Sequence, residues 1–199
     1  MIIYLGSTKG LWLTFGGLSK TLVKGFCDAD WASQKHCHSI SGYSFHFGKG
    51  AILWSSKKQH IIVLSSTKAK YIAQTHTAKE ALWLRSFVKE IRDAQNGPLT
   101  INADNQGVIA LAKDNKFHLR TKHINLWYHF IQEAFKDKKI NINYIPTNDN
   151  IVDIFTKPLA KQKFRHFVEM LGLANKGEEK MKESSGRFKK QWIETQSSW

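Results

Sequence analysis

Acidic residues are scarce in this chain: 16 Asp and Glu stand against 30 Lys and Arg, and the 199 residues carry a formal net charge of +14. That imbalance argues against cationic partners and favours polyanions. Cysteine is scarcer still. The two present, Cys27 and Cys37, have no metal-ligand spacing, which excludes a zinc ribbon or a disulfide scaffold and predicts reduced thiols. With 3 prolines there is no Pro-rich linker. No apolar run reaches the roughly 18 residues that a membrane span needs, and the opening Met-Ile-Ile-Tyr-Leu-Gly is too short and unflanked for a signal peptide. An intracellular protein, cytoplasmic or nuclear and away from membranes, is the expectation.

What is present is enough for one core. A hydrophobic content of 42% in a chain of this length predicts one domain with appendages. Residues 174–199 hold six Lys or Arg and four Glu, a net +2, so the preceding 173 residues carry +12. The basic field therefore belongs to the folded part, and nucleic acid is its natural partner, bound with a steep salt dependence.

The pattern alternates between the periods of strands and helices. Leu11 to Phe15 reads as a strand turned back by Gly16-Gly17, and Leu22 to Trp31 as a buried strand. Ile40 to Phe47 and Ala51 to Ser56 form a hairpin across Gly48-Lys49-Gly50. Ser65 or Ser66 caps a long helix to about Ala94, whose Ile72, Ala73, Ala78, Ala81, Leu82, Leu84, Phe87, Val88 and Ile91 keep largely to one face. Gly97-Pro98 stops it. Leu99 to Ala103 is a strand, Asn105 to Ala112 and His123 to Lys136 are helices, Ile140 to Ile145 a strand, and Asn148 to Phe155 a short helix. Lys161 to Leu171 adds an amphipathic helix. From Ala174 onward Lys, Glu, Ser and Gly replace the apolar period, which predicts disorder.

Several short motifs stand in a fixed order along this framework: Gly25-Phe26-Cys27-Asp28-Ala29-Asp30-Trp31, Ser41-Gly42-Tyr43, Trp54-Ser55-Ser56-Lys57-Lys58-Gln59, Lys79-Glu80-Ala81-Leu82-Trp83-Leu84, Asp104-Asn105-Gln106, Arg120-Thr121-Lys122-His123-Ile124 and Asp153-Ile154-Phe155-Thr156-Lys157-Pro158-Leu159. Together they resemble the ribonuclease H domain of copia-type LTR retrotransposon Pol polyproteins, over about Tyr4 to Leu173. The motifs are those of the ribonuclease H segment and not of an integrase on the same fold. The resemblance implies a ribonuclease H-like α/β fold, a five-stranded mixed sheet of three antiparallel strands followed by two parallel ones, flanked by helices. It also implies a division of the chain into residues 1–21 as a remnant of the reverse transcriptase connection, 22–157 as the ribonuclease H-like domain, 158–173 as a C-terminal helix and 174–199 as a tail.

By the same resemblance, Asp28, Asp104 and Asp153 are catalytic carboxylates and ligands of two divalent ions, magnesium or manganese. Such a site cleaves RNA in RNA/DNA hybrids, one ion generating hydroxide and the other stabilising the leaving oxygen. The fourth carboxylate is missing: in Ser65-Ser66-Thr67-Lys68-Ala69-Lys70 both lysines stand where the family has glutamates, and Lys70 takes the place of the catalytic one. An ammonium has only donors and repels a divalent ion, so impaired hydrolysis with weak or partial metal occupancy is the expectation, an inactive nucleic-acid-binding remnant being the alternative. Asp30, two residues along the strand and on the same face as Asp28, is the surrogate ligand to consider. Lys57, Lys58, Arg120, Lys122 and His123 are candidate contacts to substrate phosphates, and the ancestral chain is expected to have been joined to reverse transcriptase and integrase. Other departures from the family pattern are Cys37 and His38 for arginines, Ile40 for threonine and Trp127 for arginine. Each, like the two lysines, is reachable by one C-to-T change on either strand.

Overall fold

The computed structural model describes residues 10–15, 23–92, 97–113 and 122–175. Strands β1 (Leu11–Leu13), β2 (Lys24–Asp30), β3 (Ile40–Phe47) and β4 (Gly50–Lys58) precede the long helix α1 (Ser66–Arg92). Then come β5 (Leu99–Ala103), α2 (Gln106–Lys113), α3 (Lys122–Lys136), β6 (Ile140–Tyr144), the one-turn helix α4 (Asp153–Thr156), α5 (Lys161–Met170) and β7 (Leu173–Asn175). Five strands form one sheet in the order β4-β3-β2-β5-β6. β4, β3 and β2 are antiparallel, and β5 and β6 run parallel to β2. This is the mixed sheet that the resemblance implies.

Local signals act where the sequence places them. Ser65 accepts the Lys68 N–H on its hydroxyl at 3.3 Å and the Ala69 N–H on its carbonyl at 3.1 Å, so Ser65 is the N-cap of α1. Asn105 does the same for α2, its side-chain oxygen accepting the Val108 N–H at 3.0 Å. Gly48, with φ of 66°, takes the left-handed conformation that the tight β3–β4 turn requires.

Both faces of the sheet are covered. α1 lays the small residues Ala69, Ala73, Ala78 and Ala81, each at most 1% exposed, towards the interior, and Phe45, Leu99, Ile101, Ile131 and Ile142 fill the main core. Burial of each large side chain contributes about 1.5–3 kcal/mol. Phe87 and Ile91, expected on the buried face, are instead exposed, Phe87 stacking on Trp83 with ring centres 5.4 Å apart. On the other face α4 and α5 bring Ile151, Val152, Phe167 and Leu171 into a second core with Ala51.

The flanks of the chain meet at the sheet edge. β1 pairs antiparallel with β7, the Thr14 N–H donates to the Gly172 carbonyl at 2.8 Å, and the Ala51 N–H donates to that of Leu171 at 3.0 Å. A Cβ on Gly172 would meet the Lys49 carbonyl oxygen at 2.7 Å, so only glycine lets the chain pass here. β7 runs to Asn175, two residues into the stretch expected to be disordered. Gly16-Gly17, Arg120 and the rest of the tail lie outside the described residues.

Candidate active site

β2 is the central strand, and its neighbours decide what lies at its end. The parallel register Cys27↔Ala103 makes Asp28 and Asp104 leave the sheet side by side at the carboxyl ends of β2 and β5, the edge where open α/β sheets bind ligands. Side chains alternate along β2, so Cys27 faces α1 while Asp28 faces α4. Opposite Asp28 in the antiparallel register stands Gly42. A Cβ there would lie 2.7 Å from Thr156 Cγ2 and 2.8 Å from Val152 Cγ1, so the glycine of Ser41-Gly42-Tyr43 is what lets α4 approach. Asn150, fully buried, donates to the Cys27 carbonyl at 3.0 Å and fastens the segment before α4 to β2. Asp153 is thereby held near Asp28, with which it shares Lys157.

The three carboxylates are joined by lysines. Lys70, reaching back from the first turns of α1, donates to Asp28 Oδ1 and to Asp104 Oδ1, both at 2.6 Å. Lys157 lies 2.9 Å from Asp28 Oδ2 and 2.7 Å from Asp153 Oδ1, and Lys163 of α5 lies 3.0 Å from Asp153 Oδ2. Hydroxyls complete the set: Thr156 donates to Asp28 Oδ2 at 3.0 Å and Thr147 to Asp104 Oδ2 at 3.1 Å. All six carboxylate oxygens therefore hold a donor, and three ammonium groups balance three carboxylates. The sequence pattern alone leaves the three aspartates and Lys70 with a formal charge of −2; Lys157 and Lys163 take it to zero.

This arrangement sets the protonation states. Burial lifts the Asp28 carboxyl, but Lys70 and Lys157 outweigh it and hold it below its ordinary value. Burial lowers Lys70, but Asp28 and Asp104 outweigh it and hold its ammonium above its ordinary value. The Cys27 thiol is pushed up to about 12, by burial first and then by Asp28 and Asp104, so it is no nucleophile. Both cysteines are free.

Divalent ions do not fit these residues as they stand. An ammonium repels a hard cation, and here three of them lie 2.6–3.0 Å from the carboxylate oxygens that would bind it. Among the described residues no group of three or more His, Cys, Asp or Glu is placed to hold a metal. Asp30, at the end of β2, is half-buried and has no partner among the described residues.

Of the candidate phosphate contacts, Lys57 and Lys58 end β4, not the loop beyond it, and are exposed, as is His60. Arg120 lies outside the described residues. Lys122 and His123 open α3, and their side chains lie outside the description. Lys157, Lys163, Thr156 and Asn150 were missed as site residues. The spacing of Asp153 and Lys157, four apart on a helix, was the available signal; Lys163 and Asn150 offered none.

No protein-family model matches the chain. Over 171 residues, 85% of the chain, it is 41% identical to the retrovirus-related Pol polyprotein from transposon TNT 1-94 of Nicotiana tabacum. Over 173 residues it is 35% identical to the one from transposon RE1 of Arabidopsis thaliana. Among solved structures, LC11-RNase H1, isolated from compost by a metagenomic approach, aligns with a TM-score of 0.51 and 14% identity over 68% of this chain and 93% of that one. The chain is a ribonuclease H-like relative of retrotransposon Pol polyproteins. It matches 13% and 12% of the length of the two plant polyproteins, so it corresponds to one segment of them. Among the described residues no helix is long and apolar enough to cross a membrane.

Proposed function

We propose that this ribonuclease H-like segment of a Pol polyprotein has a closed hydrolytic centre and acts as a nucleic-acid-binding domain. The observation that carries the reading is Lys70 Nζ between Asp28 and Asp104 at 2.6 Å from each. In the resembled family two divalent ions supply the hydrolytic chemistry, and the Lys70 ammonium, standing between two of the carboxylates, would repel them. What this chain's residues do is hold one another: Lys70 and Lys157 neutralise Asp28, Lys157 and Lys163 neutralise Asp153. The net charge of +14 and the exposed Lys57 and Lys58 support binding of RNA/DNA hybrid or other nucleic acid through phosphates, with little preference for sequence. We read residues 22–157 as the ribonuclease H-like unit and the flanks as what remains of its junctions, the ancestral partners being reverse transcriptase and integrase in the same polyprotein.

The test compares hybrid cleavage in magnesium by the chain, by Lys70→Glu, and by Lys70→Glu with Asp28→Asn. Cleavage is expected at background for the parent, at roughly a hundred-fold more for Lys70→Glu, and at background again when Asp28→Asn is added. Affinity of the parent for hybrid should fall several-fold as salt doubles. Magnesium-dependent cleavage by the parent that is lost on Asp28→Asn would falsify the closed centre and point to Asp30 as the replacement ligand.

A further inference from the structure

From Trp31 to Lys79 the chain has seven lysines and no aspartate or glutamate. In the fold the middle of this stretch reaches the sheet edge that also holds Asp28, since Lys58 at the end of β4 pairs with Ile40, and Ile40 with Asp30. There the loop of residues 59–65 leads from β4 into α1. Its Ile61, Ile62 and Leu64 are all exposed, Leu64 at 87% and Ile62 at 52%, while Val63 between them is buried. The loop is fastened at three points. The Gln59 N–H donates to the Ser39 carbonyl at 2.8 Å, the Trp31 indole N–H donates to the Val63 carbonyl at 2.9 Å, and Ser65 is the N-cap of α1. Leu64 is therefore held outward between two anchored neighbours, with Trp31, itself 47% exposed, beside it. Burial of such a side chain contributes about 1.5–3 kcal/mol, which the fold forgoes here, and clustered exposed apolar groups mark a contact surface.

The charges around this tip select its partner. Exposed Lys58 and His60 precede it, Lys68 follows it, and the turn carrying Lys35 and His36 is tied to it where the His38 ring lies 2.7 Å from the Gln59 carbonyl. Lys57 is left out, because it shares a cavity wall with Glu80. A free anion would engage the cations and leave the tip in water, and a neutral apolar groove would cover the tip and leave the cations unpaired. Two polyanionic surfaces would use both, a duplex and an anionic bilayer. Membrane binding scales with the apolar area buried, and a tip of three aliphatic side chains is small. A single aliphatic side chain is enough to part a base step, with cations on either side to meet the phosphates. The duplex is the better fit.

We propose that Leu64, with Ile62 beside it, is a wedge that enters a base step of a bound duplex from the minor groove, while Lys35, Lys58 and Lys68 hold the flanking phosphates. The proposal rests on the nucleic-acid reading and adds to it a deformation of the duplex. The intact chain is titrated into an RNA/DNA hybrid whose DNA strand carries 2-aminopurine in place of adenine, a base that brightens when it unstacks, and binding is followed on the same duplex by anisotropy. Fluorescence at saturation should rise about two-fold or more. Leu64→Phe should keep the rise. Leu64→Lys with Ile62→Lys adds two cations and removes the wedge, so it should still bind the duplex and give no rise, its fold being checked by the melting temperature of the free protein. Binding without a rise in the parent, or a rise that persists in the double lysine variant, overturns the wedge and leaves the nucleic-acid reading standing. Absence of binding overturns both. Absence of the rise together with sedimentation on phosphatidylserine vesicles that is lost in Leu64→Lys would overturn the proposal in favour of a membrane contact.

Discussion

Around the first turns of α1 the molecule treats two sets of buried polar groups in opposite ways. On the side of β2 that faces α4, three aspartates have a donor on every carboxylate oxygen. Elsewhere around the same helix, Gln59 Oε1 and both polar atoms of the fully buried Gln74 have none among the described residues. The difference teaches that the ligand capacity of a site is what its own residues leave unsatisfied. The carboxylate cluster is filled from within, while the packing around Gln59 and Gln74 leaves their buried groups unfilled among the described residues.

Breaking the filled side should have the largest effect. Lys70→Met leaves Asp28 and Asp104 adjacent, buried and without their shared cation, and should cost about 3–5 kcal/mol in urea denaturation. Magnesium should then raise the melting temperature of Lys70→Met and leave the parent unmoved. An equal magnesium shift in the parent would show that its carboxylates are open.

His46 sharpens the comparison as a buried group kept neutral. Burial holds its pKa at about 4, and its ring nitrogen lies 3.1 Å from the Ser44 hydroxyl. Below about pH 6.5 the unfolded chain takes up a proton that the folded chain refuses until about pH 4, so stability should fall with pH across that window by roughly 2–3 kcal/mol. The depressed pKa of Asp28 acts in the same direction, its contribution being lost as pH falls through its folded value. Comparing the parent with His46→Gln isolates the histidine; parallel pH profiles for the two would remove it from the account.

On the unsatisfied side, Gln74→Met replaces an orphaned amide by an apolar side chain of similar shape and should stabilise the fold by about 1–2 kcal/mol, read as a higher urea midpoint at unchanged slope. A loss of stability would mean that the amide is satisfied by water. The smallest change concerns Lys68. Like Lys70 it replaces a glutamate of the resembled family, but its side chain has no partner among the described residues, and it puts a cation in a first turn that holds no acid. Lys68→Glu restores the Ser-x-x-Glu capping box with Ser65 and should add about 0.5–1 kcal/mol to thermal stability.

The amino-acid sequence by itself determined the near-neighbour features. Period-2 and period-3.6 patterns mark the strands and helices, and Ser65 and Asn105 mark where α1 and α2 begin, because such signals act within a few residues. The resemblance carried by the motifs also picked out Asp28, Asp104, Asp153 and the anomalous Lys70. Tertiary structure alone decided what those four do to one another. Lys70 meets Asp28 across 42 residues of chain and Thr156 meets it across 128, distances over which no local propensity operates. The register of β2 against β5 brings Asp104 beside Asp28 within reach of one ammonium, and the gap left by Gly42 admits Thr156. The closing by Lys163 and the unsatisfied Gln59 oxygen are likewise products of packing, since whether a lone pair is filled depends on which distant donor the fold delivers to it.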